Sequence, residues 1–107
     1  MQLLLDENLP KRLKLDFSEH EFFTVIDKCW NRKKNGELLK LLCDGGFDAL
    51  FTFHRNLRYQ QNFSKYPVAE LVLHARDNTY ATLKKLIPPI KNVLNEELSS
   101  GVHVVKE

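Results

Sequence analysis

The chain has few glycines, few cysteines and no long apolar run, and each shortage excludes a class of protein. Its 107 residues include four glycines and two cysteines. The glycines form no phosphate-binding loop, and no serine lies in a Gly-x-Ser-x-Gly turn. No apolar stretch approaches the roughly 18 residues that cross a bilayer. The sequence therefore predicts neither a P-loop nucleotide site nor a serine hydrolase of that type, and it predicts no membrane span.

The two cysteines predict neither a disulfide nor a zinc site. Cys29 and Cys43 lie in contexts typical of core or near-core positions, where a free thiol is the common outcome. The cysteines and histidines lack the spacing of zinc ligands. The chain begins with Met1 and an apolar strand pattern rather than a signal peptide. We therefore expect a cytoplasmic protein with free cysteines.

Charge of neither sign dominates the chain. Lysine and arginine number 16 and the acidic residues 14, which leaves a formal net charge of +2. The basic residues cluster around positions 11–14, 32–34 and 55–58. Such clusters can bind a phosphate backbone, but solvated loops have the same pattern, so charge alone favours a nucleic-acid partner only weakly. The length and the 43% of hydrophobic residues predict one globular domain over residues 1–107.

Apolar segments alternate with helical patterns along the chain, an order typical of βαβ units that build a parallel sheet. Five segments are apolar or rich in β-branched and aromatic residues. We predict these as strands over residues 2–5, 22–26, 49–53, 70–74 and 102–105. The expected fold is α/β, with a mainly parallel central sheet of four to five strands.

Cap residues place the first two helices between these strands. Asn8 is the predicted N-cap of a short helix over residues 9–16. Asn35 begins a second helix, and the Gly45-Gly46 pair ends it, because glycine adopts the left-handed conformation found at helix C-termini.

Two further features concern the later helices and the single tryptophan. Asn56 is expected to cap another short helix. The Pro88-Pro89 pair interrupts the helical apolar pattern of residues 83–94, which predicts two short helices or a sharp kink. Trp30, in a polar loop, is expected to pack against the core.

Carboxylates follow the strand ends where an α/β sheet gathers its ligands. Ligands bind outside the carboxyl ends of parallel strands, and Asp6 comes directly after the first strand. Glu37, at the start of the second helix, belongs to the same edge. Several carboxylates held together bind hard divalent cations. Both acids also have plainer interpretations, since Asp6 could cap a helix and the helix dipole favours Glu37 where it is.

Three stretches of the sequence resemble one known family. They are Leu4-Leu5-Asp6-Glu7-Asn8-Leu9-Pro10, then Trp30 with Lys33-Lys34-Asn35-Gly36-Glu37-Leu38-Leu39, and finally Phe47-Asp48-Ala49-Leu50-Phe51-Thr52-Phe53 followed by Arg55-Asn56-Leu57 and Gln60-Gln61-Asn62. Together they resemble the short bacterial PIN-like proteins, some of which are toxins of toxin–antitoxin pairs. The resemblance implies a three-layer α/β/α sandwich and an endoribonuclease site that holds Mg²⁺ or Mn²⁺, in which Asp6 and Glu37 match acidic positions.

One position departs from the family pattern. After the third strand the family places an aspartate in a Thr-x-Asp-Arg-Asn pattern, whereas this chain has His54 there. A neutral imidazole removes one negative charge, so Mg²⁺ should bind less well, while Mn²⁺ tolerates nitrogen better. The site could therefore be shifted toward Mn²⁺ or a softer metal, or it could be disabled and kept for binding. Alternatively, His54 faces away and Asp77 or Asp48 replaces it, although Asp48 lies at the wrong end of its strand.

We therefore predict a metal-dependent endoribonuclease that acts on RNA. Asp6, Glu37 and His54 are the predicted catalytic residues and metal ligands, with Asp77 as a further metal ligand. The predicted RNA contacts are Asn8, Arg32, Lys33, Lys34, Arg55, Asn56 and Arg58. The resemblance also implies a cognate antitoxin and is compatible with a homodimer. The rival hypothesis is a catalytically disabled module that binds RNA or a protein partner.

Overall fold

The structure is a computed structural model that describes residues 1–30, 35–53, 68–96 and 101–106. Its strands are β1 (Gln2–Leu5), β2 (Glu21–Thr24), β3 (Ala49–Phe53), β4 (Ala69–His74) and β5 (Gly101–Lys106). Its α-helices are α1 (Asn35–Asp44), α2 (Tyr80–Leu83) and α3 (Ile87–Asn95), and 3-10 helices cover Lys11–Phe17 and Lys84–Leu86. The helix expected after Asn56 lies outside these residues. None of the helices in these ranges has both the length and the apolar character that crossing a bilayer requires.

The five strands form one sheet in the order β2-β1-β3-β4-β5, and every neighbouring pair is parallel. This confirms the predicted α/β class and the parallel sheet. The bounds of β1 and β3 match the predicted ones, because both are apolar runs followed by polar residues. The strand order reverses between β1 and β3. The chain leaves β1 to build β2 on one side and returns to build β3 on the other.

Helices cover both faces of the sheet. Successive side chains of a strand point to opposite faces, so each strand contributes to the core on both sides. On one face, Leu3 and Leu5 of β1 pack with residues of the first 3-10 helix, α2 and α3. On the other face, which we call the α1 face, Leu4 packs with Leu38 and Leu42 of α1. The described residues therefore form an α/β sandwich.

The two connections that cross the face opposite α1 differ in hand. The β1–β2 and β4–β5 connections both pass over this face, where the Tyr80 hydroxyl donates to Asp16 Oδ2 at 2.7 Å. They cross the sheet in opposite directions. Such connections are right-handed in about 98% of cases, so one of the two is an exception. Because the β4–β5 connection passes over the face opposite α1, its helices α2 and α3 leave the α1 face of β5 uncovered. Val102 and Val104 are exposed on that face.

Strand β2 ends at Thr24, two residues before its predicted end, where Thr24 and Asp27 begin a turn held by their own hydrogen bonds. The Thr24 N–H donates to Asp27 Oδ2 at 2.9 Å, and the Asp27 N–H donates to Thr24 Oγ1 at 3.0 Å. Side chains of these types favour turns by bonding nearby backbone. The hydrogen bond from Lys14 to Asp27 is the largest cause that lowers the pKa of Asp27 to about 2. Ile26, predicted in the strand, is consequently exposed.

Both cysteines are free, as expected, but the surroundings of one differ from the prediction. Cys43 on α1 is half-buried against the core of the α1 face. Cys29 is exposed in the turn after β2, so the near-core position expected for it is wrong. Its N–H donates to the Ile26 carbonyl at 3.0 Å, and the tight turn gives it a φ of 60°. This left-handed conformation disfavours residues with a Cβ by about 1–2 kcal/mol.

Replacing Cys29 by glycine is expected to stabilise the protein by about 0.5–1 kcal/mol. Glycine adopts the observed φ of 60° without the Cβ clash, while its greater freedom in the unfolded chain offsets part of the gain. Urea denaturation in reducing buffer measures the difference. Cys29→Ala is the matched control, because it removes the thiol and keeps the Cβ. An equal gain in both variants would contradict the conformational explanation.

The first helix begins later than predicted, and Asn8 is not its N-cap. It is a 3-10 helix over Lys11–Phe17 with Pro10 at the N-cap position and no side-chain cap. Pro10 is extended, with φ of −69° and ψ of 134°, so the turn before it does not continue into the helix. The Asn8 amide bonds to Asp6 instead.

Helix α1 ends where the glycine pair predicted. Gly46 has a φ of 72°, and its N–H donates to the Cys43 carbonyl at 3.2 Å. The Phe47 N–H donates to the Leu42 carbonyl at 2.9 Å. These two bonds form a Schellman C-terminus, which a left-handed glycine makes possible.

The break predicted at the Pro88-Pro89 pair is confirmed. Pro88 and Pro89 lie in the first turn of α3, where a missing N–H leaves no helical hydrogen bond unmade. The Lys84–Leu86 3-10 helix separates α2 from α3. The apolar pattern therefore continues across a change of helix type rather than along one α-helix.

Candidate functional site

Asp6 stands where the strand order reverses, directly after β1 and next to β3. Its N–H donates to the Phe51 carbonyl at 2.9 Å, which continues the parallel ladder one residue beyond the Leu5–Phe51 pair. Asp6 and Thr52 are therefore neighbours on adjacent strands, with backbones about 5 Å apart. In open parallel sheets, ligands bind in this crevice at the carboxyl ends of the strands. The placement of Asp6 at this edge agrees with the sequence analysis.

Two asparagines hold the loop that contains Asp6. The Leu9 N–H donates to the Asp6 carbonyl at 3.0 Å, which closes a β-turn. Asn8 Nδ2 donates to Asp6 Oδ2 at 3.2 Å and so fixes one carboxylate oxygen. Asn78 Nδ2 donates to the Asn8 carbonyl at 2.7 Å and ties this loop to the loop after β4. Asn8, predicted to contact RNA, therefore orients the Asp6 side chain.

Glu70 is a buried acid that the sequence analysis did not place in the site. It is the second residue of β4 and is only 4% exposed. Thr52 Oγ1 on β3 donates to Glu70 Oε2 at 3.0 Å. Glu70 pairs with Leu50, two residues before Thr52, so its side chain reaches toward the carboxyl edge of the sheet. The sequence signal for it was a single charge within an otherwise apolar strand.

Asp6, Thr52 and Glu70 form what we call the polar row, which crosses β1, β3 and β4 on the α1 face. Leu4 and Leu50 precede Asp6 and Thr52 by two residues and belong to the core of that face, so the row lies between the core and the carboxyl edge. Burial raises the pKa of Glu70 most, the hydrogen bond from Thr52 lowers it, and the charge of Asp6 raises it further. The two carboxylates are thus close enough to interact.

Glu37 lies in the first turn of α1 and is exposed. Helix α1 packs on the sheet through Leu38 and Leu42, and its C-terminus leads into β3 at the amino edge. Its first turn therefore points toward the carboxyl edge, on the same face as the polar row. This topology agrees with the expectation that Asp6 and Glu37 share one edge of the molecule.

Asp77, the further predicted metal ligand, is held by its own loop. Its Oδ1 accepts hydrogen bonds from Thr79 Oγ1 at 2.6 Å and from the Thr79 N–H at 3.0 Å. The bond from the Thr79 side chain is the largest cause that lowers the pKa of Asp77. Thr79 is in turn the N-cap of α2, where it accepts from the Thr82 N–H. Asp77 therefore helps to shape the start of α2.

Asp48 does not join the other acids. Its Oδ2 accepts from the Gln2 N–H at 2.9 Å, at the amino edge of the sheet, as its position before β3 predicted. Trp30 packs against the core of the α1 face, as predicted, with its ring 5.7 Å from that of Phe47. Neither residue contributes to the carboxyl edge.

Part of the predicted site falls outside the described residues. The positions concerned are Arg32, Lys33, Lys34, His54, Arg55, Asn56 and Arg58. In the ranges 1–30, 35–53, 68–96 and 101–106, no three histidine, cysteine, aspartate or glutamate side chains are grouped closely enough to hold a metal ion. The described site therefore consists of the polar row and the nearby first turn of α1.

Comparisons of the chain with protein-family models, with curated proteins and with solved structures found no match.

The kind of ligand that the polar row could bind follows from its donor atoms. Two carboxylates and one hydroxyl from neighbouring strands offer oxygen donors only. Mg²⁺ and Mn²⁺ prefer such donors, whereas softer metals prefer sulfur and nitrogen. The donor set therefore fits a hard divalent cation.

Proposed function

We propose that this protein is a divalent-metal-dependent endoribonuclease of the PIN-like type. The observation that supports the proposal is the position of Asp6, a carboxylate held at the switch point of a parallel sheet with the acidic first turn of α1 on the same face. Mg²⁺ commonly keeps several waters and binds through one or two carboxylates together with substrate phosphates. A site with few protein ligands therefore suits a phosphodiester substrate.

The proposed roles of the residues follow from this arrangement. Bound Mg²⁺ or Mn²⁺ would activate water and stabilise the leaving oxygen. Asp6 and Glu37 would hold the cation, with His54 as the third ligand. Asn8 keeps the Asp6 carboxylate in place through its amide. The basic residues at 32–34 and 55–58 would bind RNA phosphates, since such contacts supply most sequence-independent affinity. In a toxin–antitoxin pair this protein would be the toxin.

Cleavage assays with purified protein test the proposal. Labelled single-stranded and structured RNAs are incubated with Mg²⁺ or Mn²⁺, beside the variants Asp6→Asn and Asp48→Asn. Wild type should cleave with at least one metal, and Asp6→Asn should fall to the rate seen with EDTA. Asp48→Asn is the matched control at the opposite edge, where asparagine can still accept the Gln2 hydrogen bond, and it should cleave like wild type. Calorimetry showing no divalent binding by wild type would overturn the proposal.

A second candidate function is a disabled nuclease that acts as an RNA-binding or protein-binding module. The observation that favours it is His54, which stands where the PIN-like pattern has a carboxylate. The variant His54→Asp separates the two candidates. If wild type is inert with both metals while His54→Asp cleaves RNA, the natural protein is a disabled nuclease.

A further inference from the structure

Glu70 is not explained by the packing of the sheet. Its strand lies between β3 and β5, and its neighbours Ala69 and Leu71 are buried apolar residues. Burial of an ionised carboxylate without a compensating charge costs several kcal/mol. Thr52 donates a hydrogen bond to it, but a hydroxyl is neutral. Among the described residues, no lysine or arginine pairs with Glu70.

A second carboxylate lies on the other side of the same threonine. Asp6 is next to Thr52 across the β1–β3 ladder, and Glu70 bonds Thr52 from β4. Asn8 fixes one oxygen of Asp6, and Thr52 fixes one oxygen of Glu70, so both carboxylates are oriented before any ligand arrives. Two neighbouring negative groups of this kind favour uptake of a cation.

We propose that Glu70 is a ligand of the same cation as Asp6, so that the polar row binds Mg²⁺ or Mn²⁺ between its two carboxylates. The inference rests on the proposed nuclease function. Glu70 would add a carboxylate from a buried strand to a chain that has His54 where the PIN-like pattern has an aspartate. Thr52 is then a positioning residue, because a hydrogen bond to a ligating carboxylate sets its orientation.

Metal binding measured without RNA tests this assignment. Isothermal titration of the full chain with MnCl₂ at pH 7.5 compares wild type with Asp6→Asn, Glu70→Gln and the double variant. Each single change should weaken Mn²⁺ binding by at least about tenfold. The double variant should lose less than the sum of the two effects, because both carboxylates hold one ion. Glu21→Gln, which changes an exposed carboxylate on β2, is the control and should bind like wild type.

A second readout is the rise in Tm that Mn²⁺ produces. The rise should be present in wild type and absent in Glu70→Gln. If Glu70→Gln fails to fold by circular dichroism, Glu70→Asp, whose shorter side chain withdraws the carboxylate from the row, is measured in its place with the same expectation.

The possible results separate the inference from the proposed function. If Asp6→Asn weakens Mn²⁺ binding and Glu70→Gln does not, Glu70 is a structural acid that bonds Thr52, and the inference is wrong while the nuclease proposal stands. If wild type binds neither Mn²⁺ nor Mg²⁺, both fail. Simple additivity of the two changes would show that the carboxylates do not share an ion.

Discussion

Replacing Phe51 by alanine should lower the free energy of unfolding by about 3–5 kcal/mol. Phe51 is fully buried on β3, and its ring lies 4.9 Å from that of Phe22 on β2 and 5.7 Å from that of Phe17 in the first 3-10 helix. Its removal would leave a cavity where the sheet meets this helix. Small domains have only about 5–15 kcal/mol of stability, so the loss would remove a large share of it.

Urea denaturation of Phe51→Ala measures this loss. Leu15→Ala is the control, because Leu15 belongs to the same 3-10 helix but is 77% exposed. Its effect should stay within about 0.5 kcal/mol. A loss under 1 kcal/mol for Phe51→Ala would mean that the three rings do not form the core that joins β2, β3 and the helix.

Much of this core was predictable because it depends on local sequence. Continuous apolar runs fixed the bounds of β1 and β3, and the Pro88-Pro89 pair fixed the break before α3, since a proline ring disfavours helix in the residues before it. The end of β2 was not predicted. There the Thr24–Asp27 hydrogen bonds begin a turn while the apolar pattern continues to Ile26, and an apolar pattern contains no information on such bonds between side chain and backbone.

The candidate site was predicted only in part for a related reason. Asp6 follows the first strand in sequence, so its place at the carboxyl edge depends on one element. Glu70 reaches the same edge only because β4 pairs with β3 in a register that puts Leu50 beside it and Thr52 within reach. The register between two strands joined by a long connection is set by packing of the whole sheet. A charge in an apolar strand shows that something compensates it, but not which residue.

The double variant Thr52→Val/Glu70→Leu should be more stable than wild type by about 1–4 kcal/mol at pH 7.5 in EDTA, because apolar residues of similar size replace a buried charge and its partner. The pKa of Glu70 is raised from its ordinary value of 4.5, mainly by burial. Below pH 4.5 this carboxyl is protonated in both folded and unfolded chains, so it costs the wild type little. As the pH rises through the folded pKa, wild-type stability falls. The advantage of the variant should therefore be smaller at pH 4 than at pH 7.5.

Urea denaturation at the two pH values measures this dependence. Thr52→Val alone, which removes the hydroxyl but keeps Glu70, is the control that should not gain stability. An equal advantage at pH 4 and pH 7.5 would show that Glu70 is not charged in the folded protein. Mn²⁺ should offset most or all of that advantage, because a ligand at 100 times its Kd stabilises the form that binds it by about 2.7 kcal/mol. Wild type would gain that amount and the apolar variant would not. A buried carboxylate that weakens the free protein and strengthens the metal-bound one is what a binding site, rather than a packing defect, requires.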